Sequence, residues 1–284
     1  MPRKPGRPRR KAKRARPVVR EEPAVARARL AAAGEALRIL SGPAPDATEL
    51  ARGIYALADR SIGRVHAVCQ DGGQVACRSG CTYCCRFPVA ASAPEVLAVA
   101  AFVRERFDEG RQAALAARVE ANIAATAGMD MDRRDRVRRD CPFLEGGRCS
   151  VYEVRPVACR GYSSYSVEAC REDHDHPGTG VEIPTNALRE LVFGAVREGL
   201  AVACRSSSVE HRLLELVRAY RIAARDPTLA ESWRSRPRAF EAATGATVFP
   251  GPWSDDLDRE FEGVYRDTID RLEAEGRQVR GQST

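Results

Sequence analysis

CRSGCTYCCR, residues 77–86, places four cysteines (Cys77, Cys81, Cys84 and Cys85) within nine positions. Packing rarely asks for that density. The Cys81-x2-Cys84 spacing lets two thiolates converge on one ion while backbone N–H groups point at the sulfurs. Cys77 is close enough in sequence to add a third ligand. Cys84 and Cys85 are different, because adjacent side chains diverge. They serve one mononuclear site poorly and suit two metals or a bridging thiolate.

Working outward, CPFLEGGRCSVYEVRPVACR at 141–160 adds Cys141, Cys149 and Cys159, and Cys170 follows eleven residues later. Eight thiolates match two zinc sites of four cysteines each, or an iron–sulfur cluster with ligands to spare. Neither half is complete alone, so the ligands are expected to mix across the segment between them. Ligation would then close a long loop and contribute directly to folding. Arg78, Arg86, Arg148, Arg160, Arg171 and Arg205 each neighbour a cysteine, and Arg155 and Arg160 are expected to donate to sulfur. Cys69 and Cys204 stand apart and read as small buried hydrophobes. His174 and His176, in REDHDHPG, have ligand chemistry but lie in a stretch that reads as a solvated acidic loop.

Cys-x3-Cys-x2-Cys-Cys, then CPFL, then a cysteine followed by xYExRPxxCR, resembles the YkgJ-type cysteine cluster family, described as zinc- or iron-chelating. The matching residues are Cys77, Cys81, Cys84 and Cys85; Cys141, Pro142, Phe143 and Leu144; and Cys149, Tyr152, Glu153, Arg155, Pro156, Cys159 and Arg160. Cys170 supplies the eighth cysteine. The resemblance implies metal chelation and no particular reaction. Flagellin lysine methylases carry a related cysteine pattern, which makes an iron–sulfur enzyme modifying a protein or small molecule the alternative reading. Cys77-x3-Cys81-x2-Cys84 also has the radical S-adenosylmethionine spacing, but that chemistry sits in a βα barrel and this chain has no βα alternation.

The 284 residues carry a net charge of +7. Residues 1–20 hold ten cationic side chains and no acid, so the other 264 are net −3. The basic character is therefore a tail, expected to be disordered. Within it, Gly6-Arg7-Pro8 resembles the core of an AT-hook, with Pro5 where such a hook has arginine. Nonspecific nucleic-acid binding through residues 1–20 is the third reading. No apolar run is long enough to span a membrane, and no apolar stretch follows the basic start. The expected compartment is the cytoplasm, where clustered cysteines stay reduced and bind metal.

Apolar periodicity predicts a helix over 47–69, opened by Asp46 with Glu49 in capping-box spacing. Ser92, Pro94 and Glu95 predict a helix start running to about Phe107, and 109–126 a second helix. Residues 21–40 predict a weakly anchored helix, 132–140 a solvated charged stretch, and 162–180 irregular chain. Further helices are predicted at 185–203, 207–224 and 254–275. The whole is mainly α: a helical domain with irregular metal-binding cysteine loops. Residues 1–45 read as basic tail and linker, 46–205 as the cysteine-cluster domain, and 206–284 as a helical extension.

Overall fold

A computed structural model describes residues 23–68, 75–129, 131–137, 139–236 and 238–241. The basic run at 1–20, Cys69 and the helix expected at 254–275 lie outside these residues. The described chain is mainly helical, as its periodicity predicts. In order it forms α1 (Pro23–Leu40), α2 (Ala47–Val68), β1 (Ala90–Ala91), α3 (Ala93–Arg106), α4 (Glu109–Ala125), α5 (Met131–Val137), β2 (Leu144–Glu145) and β3 (Arg148–Cys149). A 3-10 turn at Tyr152–Val154 leads to α6 (Val157–Gly161), α7 (Val167–Asp175), α8 (Ala187–Ser206), β4 (Leu214–Glu215), α9 (Leu216–Arg225) and α10 (Leu229–Ser232).

The core is one cluster of Val, Leu, Ala and a few aromatic side chains contributed by α1, α2, α3, α8 and α9. Its tightest contact is the crossing of α1 and α8. Ala28, Ala32 and Ala36 of α1 are buried against Ala195, Gly199 and Ala203 of α8. Small residues let two helix backbones approach closely. A Cβ at Gly199 would stand 2.2 Å from the Arg29 carbonyl oxygen and 2.8 Å from the Ala33 nitrogen. Arg29 and Glu198 form an ion pair in the same crossing, and both side chains are mostly buried. The weakly anchored helix expected at 21–40 is therefore corrected. Its alanines, individually uninformative in an alanine-rich chain, are what allow it to dock.

Three further expectations change. Residues 131–137 form a short helix, and Arg134 within it is buried. Residues 167–175 form α7, opened by Ser166, whose hydroxyl accepts the Ala169 N–H at 3.0 Å. The helix expected over 207–224 begins only at Leu216, because Leu214–Glu215 pairs antiparallel with Ala90–Ala91. That pairing fastens the chain just after the first cysteine loop to the start of α9. Among the described residues no helix is long and apolar enough to cross a membrane.

Gly199→Ala should force α1 and α8 apart, since backbone rather than a flexible side chain occupies the space. The expected loss is about 2–3 kcal/mol by denaturant unfolding, the upper part of the range of core overpacking, although alanine is the better helix former.

Candidate metal centre

Residues 75–89 form a series of tight turns. The Cys81 N–H donates to the Arg78 carbonyl at 3.0 Å, Cys85 N–H to Thr82 at 2.9 Å, and Phe87 N–H to Cys84 at 3.2 Å. Gly80, at φ +85°, supplies the left-handed residue that brings Cys81 back toward Cys77. The loop is laced to the segment before α7: Ala76 N–H donates to the Ser164 carbonyl at 2.8 Å, and Ser164 N–H donates to Cys77 Sγ at 3.4 Å. Cys170, on α7, is buried and shares a side-chain hydrogen bond with Ser164.

The second group stands on the other side of the Cys84–Cys85 pair. Cys141 N–H donates to the Cys85 carbonyl at 2.8 Å. From there β2 and β3 form a hairpin in which Leu144 pairs with Cys149. Gly146 and Gly147, at φ +55° and +72°, give the two left-handed positions that a two-residue hairpin turn requires. Phe143 beneath the hairpin is buried, edge-on to Tyr220 at 5.0 Å.

Cys159 sits on α6, a helix of five residues that could not persist alone. It is clamped at both ends. At its start, the buried Glu95 accepts the Val157 N–H at 2.7 Å through Oε1, and Ser92 N–H and O–H at 2.7 and 2.8 Å through Oε2. At its end, Arg189 of α8 donates to the Arg160 carbonyl at 2.9 Å and the Gly161 carbonyl at 3.2 Å. An acid at the N-terminus and a cation at the C-terminus also match the helix dipole. Gly161 lets α6 lie on α8, since a Cβ there would meet the Phe193 ring at 2.8 Å.

The thiols lie within one another's fields. Burial raises Cys81, and Cys77 and Cys84 add to it. Cys84 is raised first by its hydrogen bond with Cys85, then by burial. Burial raises Cys170, with Cys77, Cys81 and Cys84 contributing. Burial raises Cys141, with contributions from Cys159 and Cys149. Cys159 is pushed up to about 12 by burial, and then by Cys149 and Cys84. Burial also raises Cys149, while Arg155 opposes it. Two neighbourhoods emerge, Cys77–Cys81–Cys170 and Cys141–Cys149–Cys159, with Cys84 felt by both. One bare thiolate is unfavourable here, whereas a thiophilic cation would relieve both the repulsion and the burial. The donor set thus fits zinc or iron in its chemistry. Among the described residues, no three His, Cys, Asp or Glu side chains are closed to metal-holding geometry.

Other expected residues have different roles. Arg160 does not reach sulfur: it donates to Asp59 at 2.9 Å and to the Arg155 and Glu153 carbonyls, and lies over the Tyr55 ring. Arg155 donates to the Tyr152 carbonyl and covers its ring. Both arginines hold the turn before Cys159. His174 packs edge-on to Tyr83, between Cys81 and Cys84 in the chain, and pairs with Asp175; His176 is exposed. Cys204 is buried in α8. The sequence reading noted Glu95 only as a helix-start residue and passed over Arg189 and Ser164. A glutamate three residues after Ser92 signals a capping box, but nothing local signals its second partner at Val157.

Together these features give a thiol-rich site built on helical supports. Residues 76–176 match a family model, CxxCxxCC, described as "Putative zinc- or iron-chelating domain". The match falls on the cysteine-rich segment and agrees with the cysteine-cluster resemblance. No curated protein and no solved structure matches the chain.

Glu95→Ala should strand the buried N–H groups of Ser92 and Val157. An expected loss of about 3 kcal/mol in urea unfolding follows from leaving such donors unsatisfied. Metal content should fall with it, since Cys159 loses its support.

Proposed function

We propose that the protein is a zinc- or iron-chelator whose eight cysteines act as two neighbouring four-thiolate centres. Cys77, Cys81, Cys84 and Cys170 form one; Cys85, Cys141, Cys149 and Cys159 form the other. The observation that carries this reading is the lacing of the 77–85 loop to the chain before α7 through Ser164 on one side, and to Cys141 at the head of the hairpin on the other. The Cys81-x2-Cys84 spacing supports Cys84 in the first centre. The Cys141 N–H on the Cys85 carbonyl supports Cys85 in the second. The backbone N–H donated to Cys77 Sγ is the kind of contact that stabilises a ligating thiolate.

The metal's role in this reading is structural. Each centre joins segments far apart in sequence: the 77–85 loop to α7 in one, and to the hairpin and α6 in the other. Binding free energy is then folding free energy. The reading assumes a reducing compartment such as the cytoplasm, in which the thiols remain free.

The test is elemental analysis with an absorption spectrum, on protein purified without oxygen. Two equivalents of zinc and a colourless solution are expected. Broad visible absorption with iron and sulfide would replace the two centres with an iron–sulfur cluster. Cys170→Ser and Cys141→Ser should each lose about half of the metal, and Cys204→Ser should keep all of it. Metal-free wild-type protein whose helicity and stability do not respond to added zinc or iron would sink the reading.

A further inference from the structure

A small cavity lies between α4, the chain entering Cys141 and the start of α9. Its walls include Arg86, Asn122, Arg134, Arg139, Cys141 and Glu215. Its volume is about 20 Å³, on a scale where one water needs roughly 10–15 Å³. That is room for the one or two oxygens at the end of a ligand.

Among the described side chains, the charges around it do not balance. The Arg134 side chain is 5% exposed and its Nη2 donates to Glu215 Oε1 at 3.2 Å. Its Nε and Nη1 are buried with no hydrogen-bond partner. Glu215 cannot take them up. The same carboxylate, 1% exposed, caps α9 by accepting Val217 N–H at 3.3 Å and Arg218 N–H at 2.9 Å, and it pairs with the Arg218 guanidinium at 3.5 Å. Two guanidinium groups therefore share one buried carboxylate. Burial lowers the Arg218 pKa and the Arg134 charge lowers it further, while Glu215 opposes both. Arg86 is already paired with Asp140 at 2.7 Å. Asn122 adds a buried acceptor, since its Oδ1 has no partner while its Nδ2 donates to the Asp140 carbonyl.

A buried, half-satisfied guanidinium is costly. Water filling the cavity would meet its hydrogen bonds but leave its charge. An oxyanion meets both, and arginine's planar fork matches carboxylate and phosphate. We propose that this cavity binds the oxyanion end of a small ligand, a carboxylate or a phosphate, with Arg134 as the recognising cation and Asn122 Oδ1 accepting a ligand O–H. The site needs no metal. Cys141 on its wall would place the bound anion beside the second thiol group.

The experiment is titration calorimetry on the full-length protein in chloride buffer, with inorganic phosphate in one arm and acetate in the other, at constant ionic strength. Saturable binding at one site per chain is expected, and the preferred arm names the ligand class. Arg134→Gln should weaken binding at least tenfold in either arm, and Asn122→Ala should weaken it a few-fold for phosphate, which carries an O–H at neutral pH, and not for acetate, which has none. The unfolding temperature of the wild type should rise with the anion, and that of Arg134→Gln should not. Equal binding by wild type and both variants would overturn the proposal and move the affinity elsewhere, the cationic residues 1–20 first. So would the absence of saturable binding in both arms, a result that stands even if Arg134→Gln fails to fold. If the wild type binds neither anion and Arg134→Gln loses metal, the guanidinium is a countercharge for the thiolates and the proposal fails. Anion binding by metal-free wild type, lost in Arg134→Gln, would uphold it whatever becomes of the chelation reading.

Discussion

The buried carboxylate of Glu95 holds the cysteine region in register with the helices. It closes the start of α3 through Ser92 and the start of α6 through Val157, 62 residues further along the chain. Burying a carboxylate is unfavourable unless its oxygens are well bonded, and here three donors converge on it. The result is a rigid link between the apolar core and the short helix that presents Cys159. Arg189 completes the link from the other end of α6, and the Arg160 guanidinium, braced on Asp59 and Tyr55, ties the same turn to α2.

This arrangement explains why a region so poor in regular structure holds its shape. Between Pro142 and Ser166 the chain has only a two-residue hairpin, a 3-10 turn and five residues of helix. Local propensity cannot sustain any of these. Arg155 and Arg160, which accompany the cysteines in the motif, donate to backbone carbonyls and cover tyrosine rings. They fix the turn on which Cys159 stands.

Much of this was legible in the sequence because its signals are local. Spacing alone separates the eight clustered cysteines from Cys204, and the Ser92–Glu95 pair marks the start of α3. What could not be read depends on contacts between distant residues. The docking of α1 rests on small residues meeting small residues across an interface, and an alanine gives no sign of which alanines it will meet. Residues 131–137 look like a solvated charged run because Arg134 is one arginine among several; its burial is set by Glu215, on another element. Helix α7 was missed because its acidic, histidine-rich sequence has little apolar periodicity and is anchored mainly by Cys170. The beginning of α9 was misplaced because a strand pairing with Ala90–Ala91 outweighs helical preference at Leu214 and Glu215.

The two clamps on α6 bear on where the working unit begins and ends. The stretch that defines the motif, residues 76–176, contains Glu95 but none of Asp59, Tyr55, Arg189, Phe193 or Tyr220. Each of these touches the cysteine loops or the residues beneath them. Cut out at the motif's edges, the segment would keep every clustered thiol and lose the counterparts of Arg160, the C-terminal cap of α6 and the ring against Phe143. A transplant of the eight cysteines into another scaffold faces the same deficit. The clustered thiols all fall inside the motif, but the residues that set their positions are spread from α2 to α9.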